Sequence, residues 1–462
     1  MSSQREIRLN AFDMNCVGHQ SPGLWAHPRD RSWQYKDLEY WTDLARLLER
    51  GKFDGLFIAD VLGIYDVLNG SGDAAIRQAT QVPVNDPLAL VTEHLGFGLT
   101  ASLSFEHPYP FARRLSTLDH LTKGRIGWNI VTSYLESGAR NIGHRAQTDH
   151  DARYDYADEY LQVVYKLLEG SWEDGAILRD RQRRIFSDPA KIHPINHKGE
   201  FFQVPGIHLS EPSPQRTPVL YQAGASSRGK QFAAEHAECV FVASPSKTLL
   251  KKTVADIRRR AAEAGRDPRS ILIFNLQTVI VGETDRQAQE KWREYKSYTS
   301  YEGALALVSG WTGIDFGQYQ PDQVLKHLHT NAIQSAVETF SSADPSREWT
   351  VQGIAEWVGI GGFGPLLVGG PQTVADELQA WVEETDVDGF NLAYAVTHET
   401  FTDVVELLIP ELQKRGAYKR DYTAGTLREK LFNQGPRLAE PHPAVGYRWP
   451  AGASLADALS VK

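Results

Sequence analysis

The run GASSRG at residues 224–229 brings two hydroxyls and a positive charge to the end of an apolar stretch, where a helical pattern begins. The first turn of a helix offers unpaired backbone N–H groups and the positive end of the helix dipole, which together suit a phosphate. Ser226 and Ser227 could add side-chain donors to such a site, and Arg228 could add charge. A second interpretation stays open at this point, in which Ser226 only caps the helix.

Polar residues also follow the other apolar stretches of the chain. Asp60 ends one of them, where a carboxylate without a partner would be costly, so it forms either a structural ion pair or a contact to a ligand. Cys16 follows another and is interpreted either as a small packed side chain or as part of a site. The other polar residues in such positions are Asp13, Asn15, His19, Tyr65, Thr100, Asn129, Thr132 and Tyr134. The histidines lack the spacing of a motif such as HExxH, so we expect no metal site.

The elements that must position these residues alternate along the chain. Apolar, strand-like stretches lie at 8–12, 53–60, 96–104, 125–133, 218–224, 237–244, 271–282 and 389–396. Helical patterns lie at 37–51, 108–122, 152–170, 228–236, 247–264, 284–297, 371–385 and 398–414. This alternation predicts a closed (β/α)8 barrel of the TIM type, with its active site at the carboxyl ends of the strands. An open doubly wound sheet would normally carry a glycine-rich loop after its first strand, and the loop DMNCVGHQ has one glycine.

Three parts of the chain lie outside this repeat. Residues 171–217 are polar and contain several prolines, residues 298–362 are rich in Gly, Ser and Trp, and the tail 416–462 has four further prolines. Long excursions in a compact enzyme are usually lids or subunit contacts. We therefore predict a single barrel domain over 1–462, with two insertions and a C-terminal extension, that assembles as a homodimer or homotetramer.

Composition limits the classes of function. The chain has 462 residues, 41% of them hydrophobic, and a formal net charge of −9, without the basic stripe that binds nucleic acid. Its two cysteines, Cys16 and Cys239, are too few for a disulfide framework. The start MSSQREIRLN lacks the apolar core of a secretion signal, and no apolar run approaches the length of a membrane span. We expect a cytoplasmic enzyme with no nucleic-acid or membrane partner.

Four longer motifs resemble those of the bacterial-luciferase-like flavin-dependent monooxygenases, in the group that contains the nitrilotriacetate and dibenzothiophene-sulfone enzymes. They are LLERGKFDGLFIAD, HPYPFARRLSTLDHLTKGRIGWNIVTS, HDARYDYADEY and EPSPQRTPVLYQAGASSRG. The resemblance covers nearly the whole chain, and AFDMNCVGHQSPGLW, YDV and QVPVNDP make it closest to the members that oxidise long-chain alkanes and dimethyl sulfide. It is specific enough to imply a reaction.

The resemblance implies a two-component monooxygenase. A separate NAD(P)H-dependent flavin reductase would supply reduced FMN, which reacts with O2 to a flavin C4a-(hydro)peroxide and oxygenates a small apolar or sulfur-containing substrate of the alkane or dialkyl-sulfide type. Carried over by position, the FMN contacts fall on Asp60, Thr100, His150, Tyr154 and Ser226, with Asn129, Thr132 and Ser227 as further contacts. The substrate side falls on Cys16, His19, Tyr65, Gln81 and Tyr134. His19 or Tyr65 would donate a proton, and the excursion 298–362 would close a dry, apolar mouth.

The chain departs from the alkane enzyme in three places. The alkane enzyme has histidines in the stretch that corresponds to residues 302–313, where this chain has none. It also has a histidine at the position of Tyr134. Both differences weaken an assignment to alkanes. The connection 88–93 is too short for a crossover helix, so we predict that the preceding segment 71–81 takes its place.

Two alternatives stay open beside the monooxygenase. One is a relative that degrades riboflavin, as a lyase in this family does. The other is a non-catalytic flavoprotein, which would be expected to lose Asp60, Tyr154 or Ser226, and this chain keeps all three.

Overall fold

Eight parallel strands close into a barrel in the computed structural model, which describes residues 5–79, 91–144, 146–224, 226–325, 340 and 348–449. Counting the strands outside the barrel as well, the strands of the described residues are, in chain order, β1 (Arg8–Met14), β2 (Gly55–Ala59), β3 (Gly96–Ser102), β4 (Ile126–Val131), β5 (Ile177–Asp180), β6 (Ile185–Ser187), β7 (His197–Lys198), β8 (Gln203–Val204), β9 (Val219–Ala223), β10 (Cys239–Val242), β11 (Leu272–Val281), β12 (Leu366–Gly369) and β13 (Gly389–Ala393). The barrel order is β1-β2-β3-β4-β9-β10-β11-β13, and β13 pairs with β1 to close the ring. β12 pairs with the second half of β11. A barrel strand overlaps each predicted stretch, and the predicted closed barrel is confirmed.

Each of the eight predicted helical patterns overlaps at least one observed helix, and further helices lie outside those patterns. The bounds of the observed helices are Leu38–Arg50, Asp73–Arg77, Pro108–Leu121, Glu136–Asn141, His150–Tyr165, Ser227–His236, Lys247–Glu263, Asp285–Lys296, Tyr301–Thr312, Val351–Val358, Pro371–Thr385, Glu399–Asp403, Ile409–Lys414 and Leu427–Phe432. The first of them buries Tyr40, Leu44 and Leu48, one turn apart, against the strands because a helix repeats every 3.6 residues. Within the described ranges, no helix is both long and apolar enough to cross a membrane.

Large aromatic side chains fill the barrel because glycines on neighbouring strands make room for them. The ring centroids of Phe57 and Phe241 lie 4.2 Å apart, and the rings of Tyr221 and Phe241 stack at 5.3 Å. A Cβ on Gly127 would lie 2.3 Å from the Tyr221 ring, and one on Gly98 would lie 2.8 Å from the Phe57 ring. This packing makes the inside of the barrel solid, so the carboxyl ends of the strands are left to form a site.

The two insertions have different architectures. Residues 171–217 form the short antiparallel hairpins β5–β6 and β7–β8, whereas residues 298–362 supply the helices Tyr301–Thr312 and Val351–Val358, which pack on each other. The helix Asp73–Arg77 buries small apolar side chains in the same cluster as these two helices, and its last residue forms an ion pair with Glu302. We predicted that the segment 71–81 replaces a crossover helix on the barrel. This prediction is wrong for residues 71–79, the part of the segment that the structure describes, because they pack on the second insertion.

A short helix that follows the last barrel strand covers the amino ends of the strands. This helix, Leu427–Phe432, starts at Thr426 with a capping box. Leu427 packs against β3, where a Cβ on Gly96 would lie 2.5 Å from the leucine side chain. Arg428 and Glu238 form an ion pair with Nε and Oε1 2.7 Å apart, and their side chains are only 2% and 8% exposed. These contacts fix the C-terminal extension to the floor of the barrel.

Candidate active site

A cavity of about 500 Å³ opens at the carboxyl ends of β2, β4 and β9. Its wall contains five of the residues predicted from the sequence, namely Asp60, Thr132, Tyr134, Tyr154 and Ser226. Loop side chains, among them Leu62, Phe105 and Leu135, add an apolar surface, and Trp311 comes from the second insertion. The cavity therefore lies where (β/α)8 barrels build their active sites, and it combines apolar walls with a few polar groups.

Two hydroxyls converge on the N-terminus of the helix Ser227–His236. The Oγ of Ser226 caps the helix by accepting a hydrogen bond from the Gly229 N–H at 3.0 Å. A Cβ on Gly229 would lie 2.6 Å from the Tyr154 Oη and 3.0 Å from the Ser226 Oγ, so glycine lets both hydroxyls approach the same turn. Ser226 therefore caps the helix, and the two hydroxyls lie beside backbone N–H groups of the kind that suits an anion.

The positive charge at this end of the cavity comes from Arg153 and not from Arg228. The Arg228 Nη2 lies 2.5 Å from an Oδ of Asp158 and 3.5 Å from one of Asp155, so its charge is already balanced. Arg153 lines the cavity, donates to the Ser133 carbonyl, and has a buried Nε without a hydrogen-bond partner among the described residues. Burial lowers the pKa of Arg153. Arg153 was not predicted as a site residue, although it stands directly before Tyr154 in the motif HDARYDYADEY.

Buried amide groups below the cavity point to a missing hydrogen-bond partner. The Asn129 Nδ2 donates to the Thr100 Oγ1 at 3.0 Å, and both side chains are buried inside the barrel. The Asn129 Oδ1 and the Gln222 Oε1 are buried and accept no hydrogen bond from any described residue. Because a buried acceptor without a donor is costly, these two oxygens suit a bound group that carries N–H or O–H donors.

Two tyrosine hydroxyls and an indole N–H form a hydrogen-bonded group at the cavity, whose wall contains Tyr134 and Trp311. The Oη atoms of Tyr65 and Tyr134 are 2.8 Å apart, and the Trp311 Nε1 donates to the Tyr65 Oη at 3.1 Å. Burial raises the pKa of Tyr65 well above its ordinary value, so this hydroxyl stays protonated. A Cβ on Gly310 would lie only 1.9 Å from the Tyr65 ring, which shows how closely the second insertion packs on this wall.

Cys16 and His19 lie beyond this wall, near the end of β1, and do not line the cavity. Both are buried, and the His19 ring packs edge-on against Phe12 with centroids 4.5 Å apart. Burial lowers the pKa of His19 to about 3, so its imidazole is neutral near neutral pH. The neutral imidazole can donate or accept hydrogen bonds there, and its role as a proton donor stays a prediction.

Of three further predicted residues, the structure describes the side chain of Ser227 alone. Ser227 faces Arg260, whose Nη2 donates to the serine Oγ at 3.1 Å, so its contact to a cofactor stays a prediction. His150 is the first residue of the helix His150–Tyr165, and its side chain lies outside the described part of the structure. Gln81 lies outside the described residues altogether.

The fold and the site together define a (β/α)8 barrel whose carboxyl-end cavity contains Arg153, Tyr154 and Ser226 beside a helix N-terminus. The chain belongs to the family of luciferase-like monooxygenases, whose pattern matches residues 12–389. It is therefore an enzyme of the monooxygenase class, and the resemblance inferred from its motifs is confirmed.

Relatives with high identity span almost the entire chain. A dimethyl-sulfide monooxygenase from Hyphomicrobium sulfonivorans is 54% identical over 453 residues, which cover 96% of this chain and 94% of that one. A long-chain alkane monooxygenase from Geobacillus thermodenitrificans is 52% identical, with 96% and 98% of the two chains covered. The solved structure of a riboflavin lyase with modified FMN and its substrate riboflavin has a TM-score of 0.87 at 35% identity, covering 96% and 100%.

Proposed function

We propose that this protein is a two-component monooxygenase that uses O2 and reduced FMN, delivered by a separate NAD(P)H-dependent flavin reductase, to oxygenate a small apolar or sulfur-containing compound. The observation that carries the proposal is the convergence of Arg153, Tyr154 and Ser226 on one end of the carboxyl-end cavity. Membership in the luciferase-like monooxygenases supports the reaction type. A cytoplasmic location stays a prediction. Assembly as a homodimer or homotetramer also stays a prediction, and analytical ultracentrifugation would measure the oligomeric state.

The groups around the cavity fit FMN at both of its ends. The FMN phosphate would accept hydrogen bonds from Ser226, Tyr154 and the Nε of Arg153, beside the N-terminus of a helix. The flavin ring or ribityl chain would donate to the buried Asn129 Oδ1 and Gln222 Oε1, which lack donors among the described residues. Asp60, Thr100 and Thr132 lie on the same side of the barrel, at or near the ends of β2, β3 and β4.

Bound reduced FMN supplies the electrons that activate O2, so the chain itself has to bind, orient and exclude water. The loop residues Val61, Leu62 and Leu135 and the aromatic rings of Phe105 and Trp311 make most of the wall apolar. A dry wall prevents water from diverting the reactive oxygen. The contribution of Trp311 supports the expectation that the second insertion closes the mouth.

The dimensions of the site favour a small substrate. A cavity of about 500 Å³ holds one ligand of ordinary size, so bound FMN would occupy most of it. Tyr134 and Trp311 line the cavity, and both are hydrogen-bonded to the buried Tyr65 Oη, which restricts the space left for a substrate. A thioether or short alkane fits such a site better than a long-chain alkane does.

Replacement of Tyr134 by Ala is expected to shift the substrate preference toward longer chains. The variant opens the wall, and each additional methylene buried contributes about 0.8 kcal/mol, so two or three would raise kcat/KM for a longer dialkyl sulfide by roughly 15- to 60-fold relative to the short one. Steady-state kinetics over a series of chain lengths measures this. Tyr134→Phe, which keeps the ring, is the control and should behave as the wild type. An unchanged profile for Tyr134→Ala would show that Tyr134 does not limit substrate length.

A second candidate function is the cleavage of riboflavin. A neighbouring cavity of about 560 Å³ shares Phe105 and Arg153 with the first one, so a second flavin-sized molecule has space beside the first. The higher identity to the monooxygenases favours the first candidate.

Oxygen uptake with chemically reduced FMN distinguishes the two functions. We expect uptake above the rate of free reduced FMN, with an oxygenated product, when a dialkyl sulfide or a short alkane is present. Sulfones and riboflavin serve as comparison substrates in the same assay, analysed by mass spectrometry. Loss of the ribityl chain from riboflavin as the main reaction would favour the second candidate. Uptake at the rate of free flavin with every substrate would exclude the monooxygenase.

A further inference from the structure

A second cavity, of about 560 Å³, is built on the helix His150–Tyr165 and on the turn between β7 and β8. Phe105 and Arg153 line both this cavity and the first one, so the two cavities adjoin. The volume of the second cavity falls within the range of small-molecule sites. The proposed monooxygenase reaction leaves this cavity without a role.

Arg153 lies where the two cavities adjoin, at the end of the first cavity that would hold the FMN phosphate. One of its Nη atoms donates to the Ser133 carbonyl, and its buried Nε has no hydrogen-bond partner within the described part of the chain. A phosphate that accepts from this Nε would therefore border on the second cavity as well as on the first. A ligand that continues beyond such a phosphate would extend into the second cavity.

The second cavity also contains a buried amide donor, the side chain of Gln147. The Gln147 Oε1 accepts from the Thr148 N–H at 3.1 Å, which fixes the orientation of the amide, and the Gln147 N–H donates to the Glu136 Oε2 at 3.1 Å. The Gln147 Nε2 is buried and has no acceptor among the residues that the structure describes. Because a buried donor without an acceptor is costly, this N–H suits a ligand that carries ring nitrogens or oxygens.

An aromatic ring in the wall of the second cavity is only partly covered by the protein. The Phe201 side chain lies in the turn between β7 and β8, is 42% exposed, and meets the Tyr156 ring edge-on with centroids 5.2 Å apart. The Phe201 N–H donates to the Glu159 Oε2 at 3.0 Å, and a Cβ on Gly199 would lie 2.0 Å from the Glu159 Oε1, so the turn is held closely on the helix. An aromatic ring that is fixed and partly exposed can stack on a planar base.

We propose that the second cavity receives the AMP half of FAD, so that the protein binds FAD as well as FMN. FAD is FMN extended at its phosphate by AMP. Its flavin half would occupy the first cavity and its pyrophosphate would lie beside Arg153. Its adenine would stack on Phe201 and accept a hydrogen bond from Gln147. The inference rests on the proposed monooxygenase function and extends the range of its cofactor.

The polar groups of the second cavity favour an adenylate over a second flavin. Arg153 supplies a positive charge, for which riboflavin has no anionic group. Asp155 and Glu200 also line the cavity, and their carboxylates can accept hydrogen bonds from ribose hydroxyls. The cavity therefore offers a cation, hydroxyl acceptors, an amide donor and an aromatic ring, which match the phosphate, the ribose, the edge of the base and the face of the base in AMP.

Calorimetric titration of the apoprotein with FMN and with FAD tests the inference. We expect the wild type to bind FAD no more than about tenfold more weakly than FMN. Phe201→Ala should weaken the binding of FAD by about 5- to 150-fold, the range found for stacking of a base on an aromatic ring, and should leave the affinity for FMN unchanged. Gln147→Met, which keeps the length of the side chain but lacks the amide N–H, should weaken the binding of FAD by about 2- to 12-fold and should also leave FMN unaffected.

Phe186→Ala is the matched control, because Phe186 is 60% exposed on the hairpin β5–β6 and lines neither cavity. It should leave both affinities unchanged. A wild type that binds FMN but binds FAD more than about 100-fold more weakly would overturn the inference and leave the proposed function intact. An affinity for FAD that Phe201→Ala leaves unchanged, or that Phe186→Ala lowers as much, would also overturn it. Binding of riboflavin to the FMN-saturated protein, weakened by Phe201→Ala, would overturn it by assigning the second cavity to a second flavin. Failure of the folded wild type to bind either FMN or FAD would overturn the proposed function itself.

Discussion

Arg153→Met will bind FMN about 10- to 150-fold more weakly than the wild type, because a hydrogen bond to a charged group contributes about 1.5–3 kcal/mol. Arg153 is the cation at the helix end of the cavity, and its buried Nε has no partner among the described residues. A guanidinium binds phosphate well because its N–H groups match the phosphate oxygens. Quenching of flavin fluorescence during titration of the apoprotein gives the dissociation constant directly.

Two controls assign this effect to the phosphate. Riboflavin has no phosphate, so Arg153→Met should leave its affinity nearly unchanged. Arg228→Met should change FMN affinity by less than about fivefold, since Arg228 is paired with Asp158 on a partly exposed surface. If Arg228→Met proves the more harmful of the two, the phosphate lies on the other side of the helix N-terminus and the interpretation from sequence was the better one.

Arg428→Met will lower the free energy of unfolding by about 3–5 kcal/mol, because it leaves Glu238 charged and buried without its partner. The Arg428 Nη2 donates to the Glu238 Oε2 at 2.9 Å and to the Thr217 carbonyl at 2.9 Å. The same carboxylate accepts from the Leu220 N–H at 3.0 Å, so the pair joins the C-terminal extension to β9 and β10. Urea denaturation followed by tryptophan fluorescence measures the loss.

The matched control for Arg428 is Arg437→Met in the same extension. Arg437 pairs with Asp174, and their side chains are 37% and 70% exposed, so its loss should cost less than about 1 kcal/mol. The double variant Arg428→Met with Glu238→Gln should recover part of the stability, because it removes the buried charge. Equal losses for Arg428→Met and Arg437→Met would mean that the buried pair does not stabilise the floor of the barrel.

The barrel could be predicted from the sequence because its signal is local. Each strand is a short apolar run, each helix has its own periodic pattern, and the alternation of the two leaves few folds to choose from. The helix Asp73–Arg77 could not be predicted in the same way. Its two buried alanines are compatible with either the barrel or the second insertion, and only tertiary packing decides between them.

Which charged side chain serves the site was harder to predict, because the ion-pair partners of these side chains are distant in sequence. Arg228 was expected to provide charge for a phosphate, but two aspartates on the helix His150–Tyr165 already balance it. Arg153 takes that place because it lines the cavity and its Nε has no hydrogen-bond partner within the described part of the chain. Ser226 was predictable because its cap is formed within four residues.

The covering of the barrel floor by the helix Leu427–Phe432 has a consequence during synthesis. A ribosome delivers all eight barrel strands before it releases this helix, so the nascent chain can assemble its wall while the floor is still missing. During that interval Glu238 has no arginine opposite it, and the underside of β3 lacks the cover of Leu427. Docking of the helix is therefore the last step of maturation at this end, and until it occurs the unfinished barrel exposes a charged and partly apolar underside to chaperones and proteases.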